Sequence, residues 1–454
     1  MLIKMFNAGM NVARLNFSHA TYEESVKRIA RIKTASAKTN KHIGIMLDTK
    51  GPEIRVGTFE NGECYFETGD VVKMVSEEVV GNKERFYVNC PEFFNDIDVN
   101  NEILIDDGKI SLTVIGKNEN EVICRFNNAG TIKNKKGINV PGVTLTMPFV
   151  SEKDYEDIKF GCNQGVDLIA LSFVRRKEDV EEVRNILKNF GKQNIEIISK
   201  IENQEGLNNI ESIIEASDGI MVARGDLGVE VAPELVPLYQ KKIIALANAA
   251  GKPVITATHM MESMINNPRP TRAEASDVAN AILDGCDAIM LSGESAIGKY
   301  PVETVQYMNK IALATEATIN YEDHLRTNQK YNTFSKSEAI GACVSECCLT
   351  LEKVQAIFAF TETGGTAKRI CKFRPSVPII ACTDSAETCR RLSYYFGITP
   401  VITNYVNDIS MCDDIANEVA NSLGIEDNTN IIVVGGFGQK HGVTNTIRII
   451  EVDN

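Results

Sequence analysis

The chain has 454 residues, a net charge of −13 and a pI near 5.1. That acidity argues against nucleic acid or another polyanion as a partner, and no apolar run reaches the ~20 residues needed to span a bilayer. The length predicts roughly two to four domains, and the twelve scattered cysteines, most of them inside apolar runs (Cys124, Cys286, Cys382), read as reduced core thiols of a cytoplasmic protein.

The first nine residues read as a helix without the layout of a signal peptide. A short strand follows and runs into Arg14, Asn16, Ser18 and His19. A helix over 22–38 leads to a second strand, 43–48, ending in Asp48, Thr49 and Lys50. From 51 to about 148 the character changes. Short alternating segments at 63–66, 71–75, 102–105 and 109–114 are divided by Gly, Asn and Asp turns, which predicts an inserted all-β unit. Helix–strand alternation then returns over 149–324, with strands near 167–173, 195–201, 219–222, 253–257 and 288–291. Counted with the first two, these imply a parallel sheet and point to a (β/α)8 barrel that is one strand short. The polar stretch 325–337 reads as a linker, and a further α/β unit occupies 338–454. Cys343, Cys347 and Cys348 cluster on a helical stretch with no His nearby, so packing is the simpler reading there.

The strand ends carry the chemistry. Lys200 and Glu202 are two residues apart, so in a strand they share a face, and charge buried there needs a partner or a metal. Glu202 and Asp226 end adjacent strands. They could hold Mg2+ or Mn2+, act as an acid–base pair, or simply pair with Lys200. Beside a metal, Lys200 reads as a fixed cation. The 224–228 turn offers Gly225 and backbone N–H groups to an anion. Thr256 and Thr258 could equally be core hydroxyls. Asn16, Ser18, Asp48 and Thr49 mix hard oxygens with neighbouring cations, and they read as a monovalent-cation site or as a polar barrel rim. In the last unit, Thr361, Thr363, Gly364 and Thr366 lie between a strand and a helix. They suit either a phosphate cradle or an ordinary capped turn.

Several long motifs now stand in order: Asn11-Val-Ala-Arg-Leu-Asn-Phe-Ser-His19, Leu47-Asp-Thr-Lys-Gly-Pro-Glu-Ile-Arg55, Ile198-Ser-Lys-Ile-Glu-Asn203, Met221-Val-Ala-Arg-Gly-Asp-Leu-Gly228 and Asn267-Pro-Arg-Pro-Thr-Arg-Ala-Glu274. Together they resemble pyruvate kinase over essentially the whole chain. The resemblance implies phosphoryl transfer from phosphoenolpyruvate to ADP, a barrel with a β lid, a C-terminal effector domain, and a homotetramer. It implies that Lys200 is catalytic and that Thr258 helps relay a proton to the enolate carbon. Arg14, Lys200, Gly225, Asp226 and Thr258 would contact phosphoenolpyruvate; Asn16, His19, Arg55 and Lys136 would contact the nucleotide. Glu202 and Asp226 would bind Mg2+ (or Mn2+), and Asn16, Ser18, Asp48 and Thr49 would bind K+. Glu53 stands where, in this family, Glu accompanies K+ dependence.

Two departures from the family pattern stand out. A strand of the type Thr-Ile-Gly-Pro is expected before the opening helix and is absent from these residues, which predicts two exposed sheet edges and a tendency to aggregate. His259 occupies a position where Gln is usual, and a mild effect is expected. In the effector loop, residues 361–366, Glu362 would repel an anion while Lys440 and His441 could compensate, so a monophosphate is favoured over a bisphosphate. Two other functions compete. A metal-dependent aldolase barrel needs neither lid nor Arg55 and Lys136, and a catalytically dead paralogue would not need a complete ligand set.

Overall fold

A computed structural model of the chain describes residues 1–18, 21–330, 335–406, 408–436 and 443–453, the side chain of Ile409 aside. Seven parallel strands form one curled sheet in chain order: Val12–Asn16, Gly44–Asp48, Leu168–Leu171, Glu196–Ile201, Gly219–Ala223, Val254–Ala257 and Ala288–Ile289. These are seven strands of a (β/α)8 barrel, and the first and last of them are the sheet's edges among the described residues. Both faces of these strands are covered, so they read as continuous apolar runs. One face, with Ile45, Leu47, Ile169, Ile197, Ile220 and Val222, packs against the surrounding helices. The other, with Met46, Ala170, Ile198, Met221 and Ile255, fills the interior. Residues 198, 200 and 202 share that second parity, so Lys200 and Glu202 belong to the interior face.

The helices are delimited by local chemistry. Ser151 caps Glu152–Gln164 by accepting the Asp154 N–H, and Gly165 ends that helix in the left-handed region. Thr271 and Glu274 form a reciprocal capping box on Arg272–Asp284.

The all-β insert contains a seven-stranded sheet, almost wholly antiparallel, in the order Ile54–Arg55, Gly137–Asn139, Glu102–Ile105, Ile110–Lys117, Glu121–Phe126, Val71–Val75, Arg85–Tyr87. A two-stranded ribbon pairs Glu63–Phe66 with Gly130–Lys133. This unit has its own core, with Phe66 and Phe126 stacked at 4.3 Å between ring centroids. The C-terminal sheet has the order Ile398–Ile402, Ile379–Thr383, Val354–Phe360, Asn430–Gly435, Thr446–Glu451, with only the last strand antiparallel.

Of the polar stretch read as a linker, the described residues 325–330 and 336–337 are helical. Tyr321–Lys330 is a helix, and the next begins at Lys336. Its polarity misleads because one face is still anchored: Leu325 is buried with Ala342 and Phe373, and Arg326 Nη1 lies 2.5 Å from Glu346 Oε2.

Candidate active site at the C-terminal strand ends

The barrel gathers an ion-pair network from strands far apart in sequence. The Lys200 ammonium donates to Ser172 Oγ at 2.8 Å, lies 2.9 Å from Glu202 Oε1 and 3.3 Å from Asp48 Oδ1. Asp48 in turn receives Arg14 Nε at 2.5 Å on its other oxygen. Burial by itself favours the neutral form of Lys200. Asp48 and Glu202, with a smaller pull from Asp226, outweigh burial and hold its pKa above the ordinary lysine range. Burial would likewise raise Asp48, but Lys200 and Arg14 bring it below its usual value.

Glu202 is 1 % exposed and is pushed up to about 7, first by burial and then by the charge of Asp226, against the opposing pull of Lys200. Its Oε2 accepts the Phe173 N–H at 2.6 Å. Phe173 has φ of 58°, a left-handed conformation that costs a non-glycine residue energy and here accompanies that bond. Glu202 Oε1 meets Lys200 at ion-pair distance but without hydrogen-bond angles, so this buried oxygen keeps an unused acceptor. That is what a hard cation wants. Asp226 is the nearby carboxylate neighbour of Glu202, and among the described residues no group of three or more His, Cys, Asp or Glu could hold a metal. A two-carboxylate site fits Mg2+, which keeps water and substrate oxygens in its remaining positions.

Asp226 lines a cavity of about 380 Å3 together with Arg55, Lys136, Asn203 and Glu205, between barrel and lid. The two lid cations expected to meet a nucleotide are already paired. Lys136 Nζ lies 2.6 Å from Asp106 Oδ1, and Arg55 Nη2 lies 2.6 Å from Glu53 Oε2, which also faces Lys50 at 3.4 Å.

Asn16 and Asp48 are register partners on neighbouring strands. Asn16 Oδ1 accepts the Ser18 N–H at 2.9 Å, and the Thr49 hydroxyl accepts the Ser172 N–H at 3.2 Å. Asn16, Ser18, Asp48 and Thr49 thus stand at the ends of two neighbouring strands, and their oxygens are of the hard type that K+ takes. His19 lies outside the described residues.

Thr258 and His259 both have positive φ, 67° and 53°. The Thr258 hydroxyl accepts the Gly225 N–H at 2.8 Å and donates to the Ala257 carbonyl at 2.6 Å. Gly225 permits this approach, since a Cβ there would lie 3.3 Å from that hydroxyl. So the Gly225 N–H expected to greet an anion is engaged by Thr258 in this state. Arg224 is the residue that reading the sequence passed over. It donates to the Thr258 carbonyl at 2.7 Å and the His259 carbonyl at 3.3 Å, and it pairs with Asp277 at 2.7 Å. Its adjacency to Gly225-Asp226 was the available signal, but its partners are 16 to 53 residues away.

In the C-terminal unit, the Thr361 hydroxyl accepts the Gly364 N–H at 3.0 Å, and the buried Thr366 hydroxyl bonds that of Thr444 at 3.0 Å. The first is a local turn contact and the second ties the loop to a distant segment; no side chain caps the helix Gly365–Cys371 that follows. Lys440 and His441, expected to help there, lie outside the described residues.

Arg224→Met should untie the strained Thr258–His259 turn. The charged hydrogen bonds it removes are worth about 1.5–3 kcal/mol. Urea unfolding should show a loss in that range, and a loss indistinguishable from zero would mean that the turn holds itself.

Comparisons with known proteins cover the same ground. A profile described as the pyruvate kinase barrel domain matches residues 1–305, and one described as the pyruvate kinase alpha/beta domain matches 338–450. A pyruvate kinase of Bacillus licheniformis is 49% identical over 99% of this chain and 77% of its own length. One from Staphylococcus aureus is 48% identical over 100% and 77%. The crystal structure of a pyruvate kinase from Cryptosporidium parvum superimposes with a TM-score of 0.95 at 38% identity, covering 100% of this chain and 93% of that one. Lid, barrel and C-terminal unit are thus matched as one arrangement, and the chain belongs to the pyruvate kinase family.

Proposed function

We propose a division of labour among these residues for the family's reaction, in which the phosphoryl group of phosphoenolpyruvate passes to ADP to give ATP and pyruvate. The observation that carries it is the buried Lys200 ammonium, held between Asp48, Ser172 and Glu202 on the barrel's interior face. Phosphoryl transfer asks mainly for positioning and for stabilisation of charge on the moving group. Lys200 offers a permanent positive charge whose own position is set by three strands. Arg14, Gly225 and Asp226 line the phosphoenolpyruvate end, and Arg55 and Lys136 the nucleotide end. As the bond between the phosphorus and the enol oxygen breaks and that to the ADP oxygen forms, an enolate is left. Thr258, whose hydroxyl already both donates and accepts, helps relay a proton to its carbon.

Glu202 and Asp226 would hold Mg2+ or Mn2+, which when bound neutralises phosphate charge. Asn16, Ser18, Asp48 and Thr49 would hold K+. The aldolase reading loses ground to the lid and its two cations, which such a barrel does not need. The protein works in the cytoplasm as a homotetramer on this reading, which accords with its acidic surface and with the lack, among the described residues, of a helix long and apolar enough to cross a membrane. On this reading residues 361–366 are the effector loop, with a monophosphate effector or weak control rather than tight bisphosphate activation.

In a lactate-dehydrogenase-coupled assay with Mg2+, Lys200→Met should lower the rate by on the order of 10²–10³, as removing one preorganised donor does elsewhere. A near-normal rate would take Lys200 out of the mechanism. Replacing K+ by tetramethylammonium should cut activity sharply, and equal rates at saturating substrate would remove the cation site. Glu53→Lys brings a tethered cation and should restore part of that activity. It also strips Lys50 and Arg55 of their shared counter-ion, the carboxylate an anionic nucleotide must displace, so KM for ADP should fall at the same time. Micromolar fructose 1,6-bisphosphate should leave the half-saturating phosphoenolpyruvate concentration nearly unchanged; a large fall would contradict the monophosphate assignment.

A further inference from the structure

Three carboxylates stand at the starts of barrel strands, at the end opposite the site. Asp167 precedes Leu168–Leu171, Glu196 opens Glu196–Ile201, and Asp287 precedes Ala288–Ile289. Their side chains are 1%, 7% and 6% exposed. Each is met by one cation of the C-terminal unit. Arg390 Nε lies 2.9 Å from Asp167, Arg374 Nη2 lies 3.4 Å from Asp287, and Lys368 donates to Glu196 Oε1.

The three are not equivalent. Asp167 also accepts the Ile45 N–H at 2.9 Å, and Asp287 accepts the Val254 N–H at 2.9 Å, so the barrel itself pins both. Among the described residues, every hydrogen bond to the Glu196 side chain comes from the C-terminal unit. Besides Lys368, these come from the Tyr394 hydroxyl at 2.6 Å and the Tyr395 hydroxyl at 3.4 Å. Lys368 also lies 4.9 Å from the Tyr395 ring centre. Tyr394, Tyr395 and Leu392 share one continuous apolar cluster with Ile198, which lies on the same strand between Glu196 and Lys200.

We infer that Lys368 is a positioning residue for Lys200 and Glu202, acting through Glu196 and the strand that carries all three. This rests on the reading of Glu202 as a metal ligand. Glu196 is about 13 Å from Lys200 along an extended strand at ~3.3 Å per residue. Without Lys368, Glu196 becomes a buried charge short of its cation, which must draw in water or move. Its strand is hydrogen-bonded on both sides and packed on both faces, so a displaced start shifts the end as well. Reacting groups tolerate little: a misplacement of about 1 Å can cost roughly 100-fold in rate.

The test measures Mn2+ binding by electron paramagnetic resonance of the free ion, alongside kcat and KM, on the full chain. Lys368→Met should weaken Mn2+ binding and lower kcat each by roughly tenfold, the size of effect that removing an outer support has on a metal site. Lys368→Arg should restore both. Arg374→Met, which breaks a more deeply buried interdomain pair on another strand, should leave Mn2+ binding at the wild-type value. Wild-type Mn2+ binding in a folded Lys368→Met protein, or an equal loss in Arg374→Met, overturns the inference and leaves the metal reading standing. Absence of Mn2+ binding in the unaltered protein sinks the metal reading and the inference with it. Should Lys368→Met fail to fold, Tyr394→Phe removes only one hydroxyl donor to Glu196: weaker Mn2+ binding supports the positioning role, and unchanged binding overturns it.

Discussion

A fully buried ammonium is the constraint on which the site depends. Lys200 is surrounded by barrel interior, and Asp48 and Glu202 held beside it outweigh the burial that favours its neutral form. Those partners belong to different strands, and Asp48 lies on the far side of the inserted lid in sequence. The barrel must therefore close its strands in register before the charge has company. The insertion leaves that register intact because its two ends are tied together, with the Gly51 N–H donating to Asp154 Oδ1 at 3.0 Å. Asp48 serves Arg14 as well as Lys200, so one carboxylate balances two cations. That arrangement leaves Glu202 with a spare oxygen, and the spare oxygen is what makes a cation site there physically reasonable.

Three residues in left-handed backbone border the same network. Phe173, Thr258 and His259 are bulky or branched residues in left-handed backbone, where each costs of order 1–3 kcal/mol. Such conformations persist only where the surroundings impose them. At Phe173 the return is a short N–H bond to Glu202. At Thr258 and His259 it is the grip of Arg224 on two successive carbonyls, with Asp277 holding Arg224 from behind. The glycine at 225 lets the neighbouring turn come close enough for its N–H to reach the Thr258 hydroxyl.

The lid shows a related economy of charge. Arg55 and Lys136 are held by Glu53 and Asp106 within the lid and its hinge. An anionic nucleotide would enter by exchanging partners with carboxylates, so its binding energy is a difference between two ionic contacts. The cavity between lid and barrel lines both signs of charge along one wall, which suits a ligand carrying phosphates and bound cations together.

Much of this was legible in the residues themselves. Strand and helix positions followed from apolar periodicity, because a strand covered on both faces must be apolar throughout. The catalytic strand was marked by charge at the end of an apolar run, since buried charge is too costly to be incidental. The stretch 325–337 misled, because composition shows polarity but not the distant Glu346 that anchors Arg326. The same limit hid Arg224 and Lys368. Their roles come from partners 34 to 172 residues away, and no local pattern carries that information. The sequence by itself determined which segments are strands, which residue types stand at their ends, and the family they resemble. Only the tertiary structure decided which charges meet, which stay paired without a ligand, and which strand is held from below, because those depend on register and closure of the sheet rather than on neighbours along the chain.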